Sequence, residues 1–274
     1  MLDFNNADWN FPVEEHPLLV NDKVVEGWKA LVNGNTGNPL FVHRNSYHVL
    51  KNDDVVNATY DAVKASNLSS DFDFKVTSLE DGRKLKVEVL FNDVVSEPSV
   101  GDYVKFRVTA FNSYDGAWSY TNQADGLRLF CLNGCTTTNM ISRINARHTT
   151  NLSIEGTSKH IINGLQVFHD QRDVWQSYIK SPVSFQIAER FFKDKLVQVP
   201  TKTSEEKFNS KQLETLLGIY YNEQATLGAN KWALYNAMTY WATHTGGTKS
   251  PHNLTRQREQ AIAFAMNTKA WAEI

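Results

Sequence analysis

The residues best placed for chemistry are basic side chains that alternate with apolar ones along two β-prone runs. Lys84 and Lys86 belong to the first run, and Lys105 and Arg107 belong to the second. Successive side chains of a strand point to opposite faces, so each run carries its cations on one face and apolar residues on the other. If the two strands pair, four cations share one sheet surface, which suits a phosphate backbone. Alternating lysine also keeps any half-exposed strand soluble, and this alternative stays open.

Aromatic and further basic residues accompany these runs. Tyr103 and Trp118 flank the second run, where their rings could stack on unpaired bases. Arg143, Arg147 and His148 lie in a stretch rich in threonine and asparagine, which suits contacts to phosphate and sugar. A structural use, with the arginines bonding carbonyls or capping a helix, is an equal alternative.

Complete catalytic or metal-binding motifs are absent from the sequence. Cys131 and Cys135 have the wrong spacing for a zinc knuckle, and no histidine pair has the spacing of a metal site. Lys86 and Glu88 form only a fragment of a nuclease pattern. The loop at 246–250 resembles the end of a phosphate loop but lacks its first glycine and preceding strand. We therefore predict no catalytic residue, no metal ligand and no cofactor, and the sequence leans away from an enzyme.

Composition and charge limit the classes of partner. The 28 basic and 30 acidic residues give a net charge of −2, which excludes a protein that coats nucleic acid by bulk charge. Residues 1–135 carry a net charge of −7 and residues 136–274 a net charge of +5. A nucleic-acid surface must therefore be local. The absence of a secretory signal and of a long apolar run predicts no membrane contact and a location in the cytoplasm, that of the host cell if a phage encodes the chain.

The elements that position these residues follow from hydrophobic periodicity and turn residues. The patterns predict a hairpin over 28–44, a helix over 53–66, strands over 74–79, 83–91 and 103–111, helices over 157–180, 184–196, 210–222, 231–243 and 255–272, and a linker over 198–209. The fold class is α+β, an N-terminal curved antiparallel β-sheet with one early helix, packed against a C-terminal helical region. We expect an irregular acidic arm over 1–22, a mainly antiparallel β portion over 23–135 and a mainly α-helical portion over 136–274, in one cooperative unit.

Several of these segments together resemble one family. They are ALVNGNTGNPLFVHRNSYHVLKN (30–52), LRLFCLNGC (127–135), ARHTTN (146–151), ANKWALYNAMTYWATH (229–244) and TRQREQAIAFAMN (255–267). In order and spacing they resemble the phage/plasmid-like proteins of the domain-of-unknown-function family 932. The resemblance implies a phage or mobile-element source. It implies no established activity and carries over no catalytic residues.

Three functions remain as expectations. The resemblance and the basic, aromatic strand face favour a DNA-binding protein of phage recombination or replication, in which a homo-oligomeric ring or filament binds or anneals single-stranded DNA. The alternative is a protein-interaction module, such as a phage inhibitor of a host defence or host enzyme, which binds a host protein through the acidic arm 1–22. The third is a metal-dependent nuclease.

Overall fold

The structure is a computed structural model that describes residues 8–128, 133–135, 142–149, 157–199, 207–244 and 251–274. It confirms the α+β class. The chain divides into two compact units. The first unit contains Met1–Val94, Arg107–Ala124 and Ser142–Leu165, and the second contains Val95–Phe106, Asp125–Ile141 and Gln166–Ile274.

A three-stranded antiparallel sheet begins the first unit. Its strands are β1 (Val13–Val20), β2 (Lys23–Asn33) and β3 (Pro39–Arg44), in the order β1-β2-β3. The hairpin predicted over 28–44 is confirmed as β2 and β3. The expectation of an irregular arm over 1–22 is wrong for residues 13–20. These residues form β1 because β2 offers them a partner, although their own sequence, VEEHPLLV, shows no alternation.

A larger sheet follows. Its strands are β4 (Phe72–Leu79), β5 (Lys84–Ser99), β6 (Asp102–Ser113), β7 (Tyr120–Arg128), β8 (Asn133–Cys135) and β9 (Ser142–Ala146), in the order β4-β5-β6-β7-β8 with β9 also on β7. The predicted turn at residues 80–82 joins β4 and β5, which pair antiparallel in register from Phe72 to Leu79. Leu85, Val87 and Val89 are fully buried, which confirms the period-two pattern of β5.

Helix α1 (Asn52–Ser66) covers part of the first unit's core, as the predicted early helix should. Val55 and Val56 of α1 form a buried cluster with Leu85 and Val87 of β5, and Trp9 belongs to the same cluster. A second cluster contains Phe11, Leu31, Leu40 and Tyr114. The residues just before β1 are therefore core residues.

The second unit is mainly helical. Its elements are α2 (Thr157–Lys180), which begins in the first unit, α3 (Phe185–Lys195), β10 (Gln198–Val199), β11 (Lys207–Phe208), α4 (Ser210–Leu227), α5 (Lys231–His244), α6 (Pro251–Met266) and α7 (Lys269–Ala272). Part of the predicted linker is the short β10–β11 pair. The single helix predicted over 255–272 is two helices, because the Thr268 side chain caps a new helix by accepting from the Trp271 N–H.

Aromatic rings fill the core of the second unit. The ring of Trp175 lies 5.7 Å from that of Trp232, and Tyr235 stacks on Trp232 at 5.5 Å between ring centroids. On α5, Trp232, Tyr235, Met238 and Trp241 are buried, whereas Tyr240 is partly exposed. Among the residues that the structure describes, no helix is both long and apolar enough to cross a bilayer.

Candidate nucleic-acid interface

Lys84 is not a free cation, because it forms ion pairs with two carboxylates. Its side chain is 7% exposed, and its Nζ lies 2.6 Å from Glu80 Oε1 and 3.2 Å from Asp115 Oδ2. Burial alone lowers the pKa of Lys84, but the hydrogen bonds and charges of Glu80 and Asp115 outweigh it and raise that pKa above its ordinary value. The sequence pattern correctly located Lys84 on β5 but gave no sign of these acidic partners.

Lys86 and Arg107 share a carboxylate. Glu88 Oε2 lies 2.6 Å from Lys86 Nζ and 3.5 Å from the Arg107 guanidinium. Burial raises the pKa of Glu88, but the charges of Arg107 and Lys86 outweigh it and hold the pKa below its usual range. Lys105, also on β6, is half-buried and has further contacts. Three of the four predicted cations, Lys84, Lys86 and Arg107, therefore form ion pairs with nearby acids.

The two predicted stacking rings differ in exposure. Tyr103, at the start of β6, is 44% exposed. Trp118 is 3% exposed, lies edge-on to Phe111 and donates its backbone N–H to Ser113 Oγ at 2.9 Å. The expectation that Trp118 offers a face to a base is therefore wrong, because its ring is part of the core.

The residues of the second predicted cluster, Arg143, Arg147 and His148, do not share one exposed surface. Arg143 opposes Gln123 in the pairing of β9 with β7, and its side chain lies outside the described part. Arg147 is exposed, whereas His148 is buried. His148 belongs to a group of rings that the sequence did not associate with it.

Four rings lie in a row in the first unit, which we name the ring ladder: Phe41, His43, Tyr47 and His148, of which the last three are stacked and Phe41 is tilted by 46° against His43. The ring of His43 lies 4.9 Å from that of Phe41 and 3.7 Å from that of Tyr47, with 5° between the last two planes. His148 stacks on the other side of Tyr47 at 4.9 Å and 16°. Phe41, at one end, is 44% exposed. The ladder therefore reaches solvent at an aromatic face.

Hydrogen bonds fix the rings of the ladder. His43 Nε2 donates to the Tyr114 carbonyl at 2.5 Å, and the Tyr47 hydroxyl donates to the Ser113 carbonyl at 2.8 Å. Burial, reinforced by Asp115, raises the pKa of Tyr47, so the hydroxyl stays protonated and remains a donor. These bonds hold the His43 and Tyr47 rings in one orientation.

The buried end of the ladder lies beside two exposed polar residues. The His48 N–H donates to the His148 carbonyl at 3.1 Å, and His148 Nδ1 donates to the His48 carbonyl at 3.3 Å. Burial lowers the pKa of His148, so its ring is neutral near pH 7. His48 and Arg147 are exposed, and Arg147 forms no ion pair with another described residue. Arg147 is thus an exposed cation next in sequence to His148, the ring at the buried end of the ladder.

A separate cation lies over an aromatic ring on the three-stranded sheet. The Arg44 guanidinium is 4.2 Å from the centre of the Trp28 ring, and these two residues oppose one another in the β2–β3 pairing. Arg44 is exposed. Sequence reasoning missed the ladder and this pair because it interpreted residues 28–52 only as a hairpin followed by a cap. His148 stacks on Tyr47 although it is about a hundred residues away in the sequence, so no local pattern predicts the contact.

The described residues do not form a metal-binding site. Within the ranges that the structure covers, no three histidine, cysteine or carboxylate side chains are grouped so that they could hold a metal ion. Cys131 lies outside the described residues. The metal-dependent nuclease stays a prediction.

Comparison with known proteins gives one match. A family model described as a domain of unknown function, DUF932, matches residues 39–271. No curated protein and no solved structure matches the chain. The match includes β3 and the whole ring ladder, whereas β1 and β2 precede it.

Proposed function

The chain belongs to the DUF932 family, and because that description names no activity, we propose from the chain's own residues that it binds single-stranded DNA. The observation that carries the proposal is the ring ladder with exposed Arg147 beside it. Bases stack on exposed aromatic rings whatever their sequence, and cations neutralise the phosphates between them. In this proposal the half-exposed face of Phe41 takes a base and Arg147 takes a phosphate.

A fluorescence-anisotropy titration with labelled single-stranded DNA at several salt concentrations tests the proposal. We expect Phe41→Ala to weaken binding about fivefold or more, the lower end of what one base stack contributes. Arg147→Ala should reduce the slope of log affinity against log salt by about 0.7, the value of one phosphate contact on a single strand.

Arg172→Ala is the matched control, because Arg172 is also an exposed arginine but lies on α2 in the second unit. It changes the net charge equally and should leave the salt slope as in the wild type. The proposal fails if the wild type shows no salt-sensitive binding, or if Phe41→Ala and Arg147→Ala both bind like Arg172→Ala. Duplex DNA and RNA titrated in parallel identify the preferred form.

Substitution of the cations predicted on β5 and β6 would test DNA binding less clearly. Replacing Lys84 would leave Asp115, whose side chain is 11% exposed, without a counter-ion, so lost DNA binding could simply reflect lost stability. Their part in DNA binding stays a prediction, and Lys105→Ala is the substitution that tests it, because the ion pairs with Glu80, Asp115 and Glu88 are formed by Lys84, Lys86 and Arg107.

A specific observation favours the protein-interaction alternative. Leu19, Val20 and Val24 are each more than half exposed at the end of the β1–β2 hairpin, and Leu19 and Val24 oppose one another on the same face. Deleting residues 1–22 would not test this cleanly, because Trp9 and Phe11 belong to the core. Substitutions at the three exposed positions leave the core intact.

A further inference from the structure

A wide bulge in β2 interrupts its pairing with β1. Pro17 pairs with Lys29 and Leu19 pairs with Val24, so β1 advances by two residues where β2 advances by five. Gly27, inside the bulge, has a φ of 80°, which glycine adopts at no steric cost. A bulge disrupts the ladder locally and re-aims side chains, and bulges are over-represented beside functional sites.

A cavity of about 340 Å³ lies at this bulge. Sites for small molecules typically have volumes of about 300–1,000 Å³. The walls of the cavity are Glu15, His16 and Pro17 of β1, residues 24–29 of β2, and Asn45, which follows β3. All of these residues belong to the first unit. The cavity is therefore formed within one compact unit and by described residues.

The apolar part of the cavity wall includes the half-buried indole of Trp28. The Arg44 guanidinium lies 4.2 Å from the centre of this ring, but Arg44 does not line the cavity. Part of the indole surface therefore faces the cavity without Arg44 in between. Val24 and Pro17 line the cavity as well, so a hydrocarbon group would find both aromatic and aliphatic contacts.

The charged groups of the cavity include one carboxylate without a counter-ion. Lys29 Nζ lies 2.8 Å from Glu15 Oε2, so these two charges compensate one another. His16 Nε2 lies 3.0 Å from Glu14 Oε2, so a positive charge on His16 would also be balanced. Glu26 is exposed and forms no ion pair with another described residue. The cavity therefore favours a positively charged group beside Glu26.

We propose that this cavity binds a small organic cation, an amine with an apolar body. The apolar body packs on Trp28 and Val24, and the ammonium group pairs with Glu26, two positions from Trp28 on the same strand. An ion pair against low-dielectric cavity walls is stronger than one in open water. An anionic ligand would instead be repelled by Glu26. The inference does not depend on DNA binding.

An NMR titration of the ¹⁵N-labelled full chain at pH 7 tests the proposal with two probes that share one body. Phenethylamine carries an ammonium group, and 3-phenylpropionate carries a carboxylate at the same end. We expect phenethylamine to shift the backbone amide signals of Glu26, Gly27 and Trp28 until they saturate. 3-Phenylpropionate should bind about tenfold more weakly, because Glu26 repels its charge.

Glu26→Gln tests the charge at nearly constant side-chain shape. We expect it to weaken phenethylamine binding about fivefold, the upper end of a partly exposed ion pair, and to narrow the difference between the two probes. Glu189→Gln is the matched control, because Glu189 is an exposed glutamate on α3 in the second unit. It changes the net charge equally and should bind both probes like the wild type.

Val24→Ser tests the apolar wall. Val24 is more than half exposed, so the fold should tolerate the change, and both probes should bind more weakly by the same factor because both lose the same apolar contact. Val100→Ser is its control, because Val100 is a fully exposed valine at another hairpin turn and does not line the cavity.

The proposal is overturned if phenethylamine gives no saturable shift at the three amides, or if 3-phenylpropionate binds as tightly. It is also overturned if Glu26→Gln binds phenethylamine like Glu189→Gln. The DNA proposal depends on Phe41 and Arg147 instead, which do not line the cavity, so failure of one proposal leaves the other standing. Circular dichroism of each variant identifies any that has lost its fold.

Discussion

Individual side chains in this protein have ionic partners that the alternating strand pattern does not reveal. Lys84, Lys86 and Arg107 occupy the strand face that alternation predicts, yet Glu80, Asp115 and Glu88 pair with them. A buried or half-buried cation is expensive to leave unpaired, so acids gather where the strands meet. Arg147, at the proposed site, is exposed and precedes the buried ring of His148 in the sequence.

Glu88 should make stability depend on pH. Its pKa is held below the ordinary 4.5 in the folded chain, so its stabilisation is present above pH 4.5 and disappears as the pH falls through the lower folded value. We expect Glu88→Gln to lower the free energy of unfolding by about 1 kcal/mol at pH 7 and by less at pH 3. Urea unfolding at both pH values measures this difference.

Asp61→Asn is the control for that experiment, because Asp61 is an exposed acid on α1. It should follow the wild type at both pH values. A gap between wild type and Glu88→Gln that is equal at pH 7 and pH 3 would contradict the role assigned to the carboxylate charge.

Whole elements were easier to predict from sequence than their contacts. The long helices and the strands β4 to β6 have strong periodic patterns, because one face of each must bury apolar side chains. β1 has no such pattern and forms through its pairing with β2. The ring ladder was missed for the same reason, since its members come from β3, the segment after it and the segment after β9.

Gly126 shows how closely β7 approaches α2. A Cβ at this position would lie 2.6 Å from Val104 Cγ1, 3.2 Å from the Phe168 ring and 3.3 Å from the Trp175 ring. Overpacking of this kind costs about 1–3 kcal/mol, so we expect Gly126→Ala to lower the free energy of unfolding by that amount. Chemical denaturation measures it.

Gly218→Ala is the matched control, because Gly218 lies within α4 and a Cβ there would meet nothing within 4 Å. Alanine should stabilise that helix by about 0.5–1 kcal/mol. Two substitutions of the same type thus have opposite expected signs. A stabilising effect of Gly126→Ala would contradict the close approach of Gly126 to Val104, Phe168 and Trp175.

At the scale of the whole molecule, one buried arginine joins four elements of the second unit. Arg128 of β7 donates from Nε to Asp102 of β6 and from its guanidinium to Glu223 of α4 at 2.9 Å. Trp232 of α5 donates its Nε1–H to Asp102 at 2.7 Å. The network around the Arg128 charge therefore joins residues that lie up to 130 positions apart in the sequence.

Removing that charge should be costly. Arg128→Met leaves two buried carboxylates without their cation, and we expect it to lower the free energy of unfolding by about 3–5 kcal/mol. Arg190→Met is the comparison, because Arg190 is 86% exposed and, within the described ranges, its ion pair is with Asp194 across one helical turn. Its effect should stay within about 0.5 kcal/mol. Equal losses in the two variants, measured by denaturation at one pH, would contradict the network.

The sequence by itself determined the α+β class, most helix and strand positions, the family and the division of charge between the two halves. These follow from local periodicity, composition and ordered motifs, which need no knowledge of distant contacts. The tertiary structure decided which cations are paired, that Trp118 is core, that the rings of the ladder meet and that Leu19, Val20 and Val24 are exposed. Each of these depends on which residues meet after folding, because burial and electrostatic pairing depend on distances in space and local sequence carries no record of them.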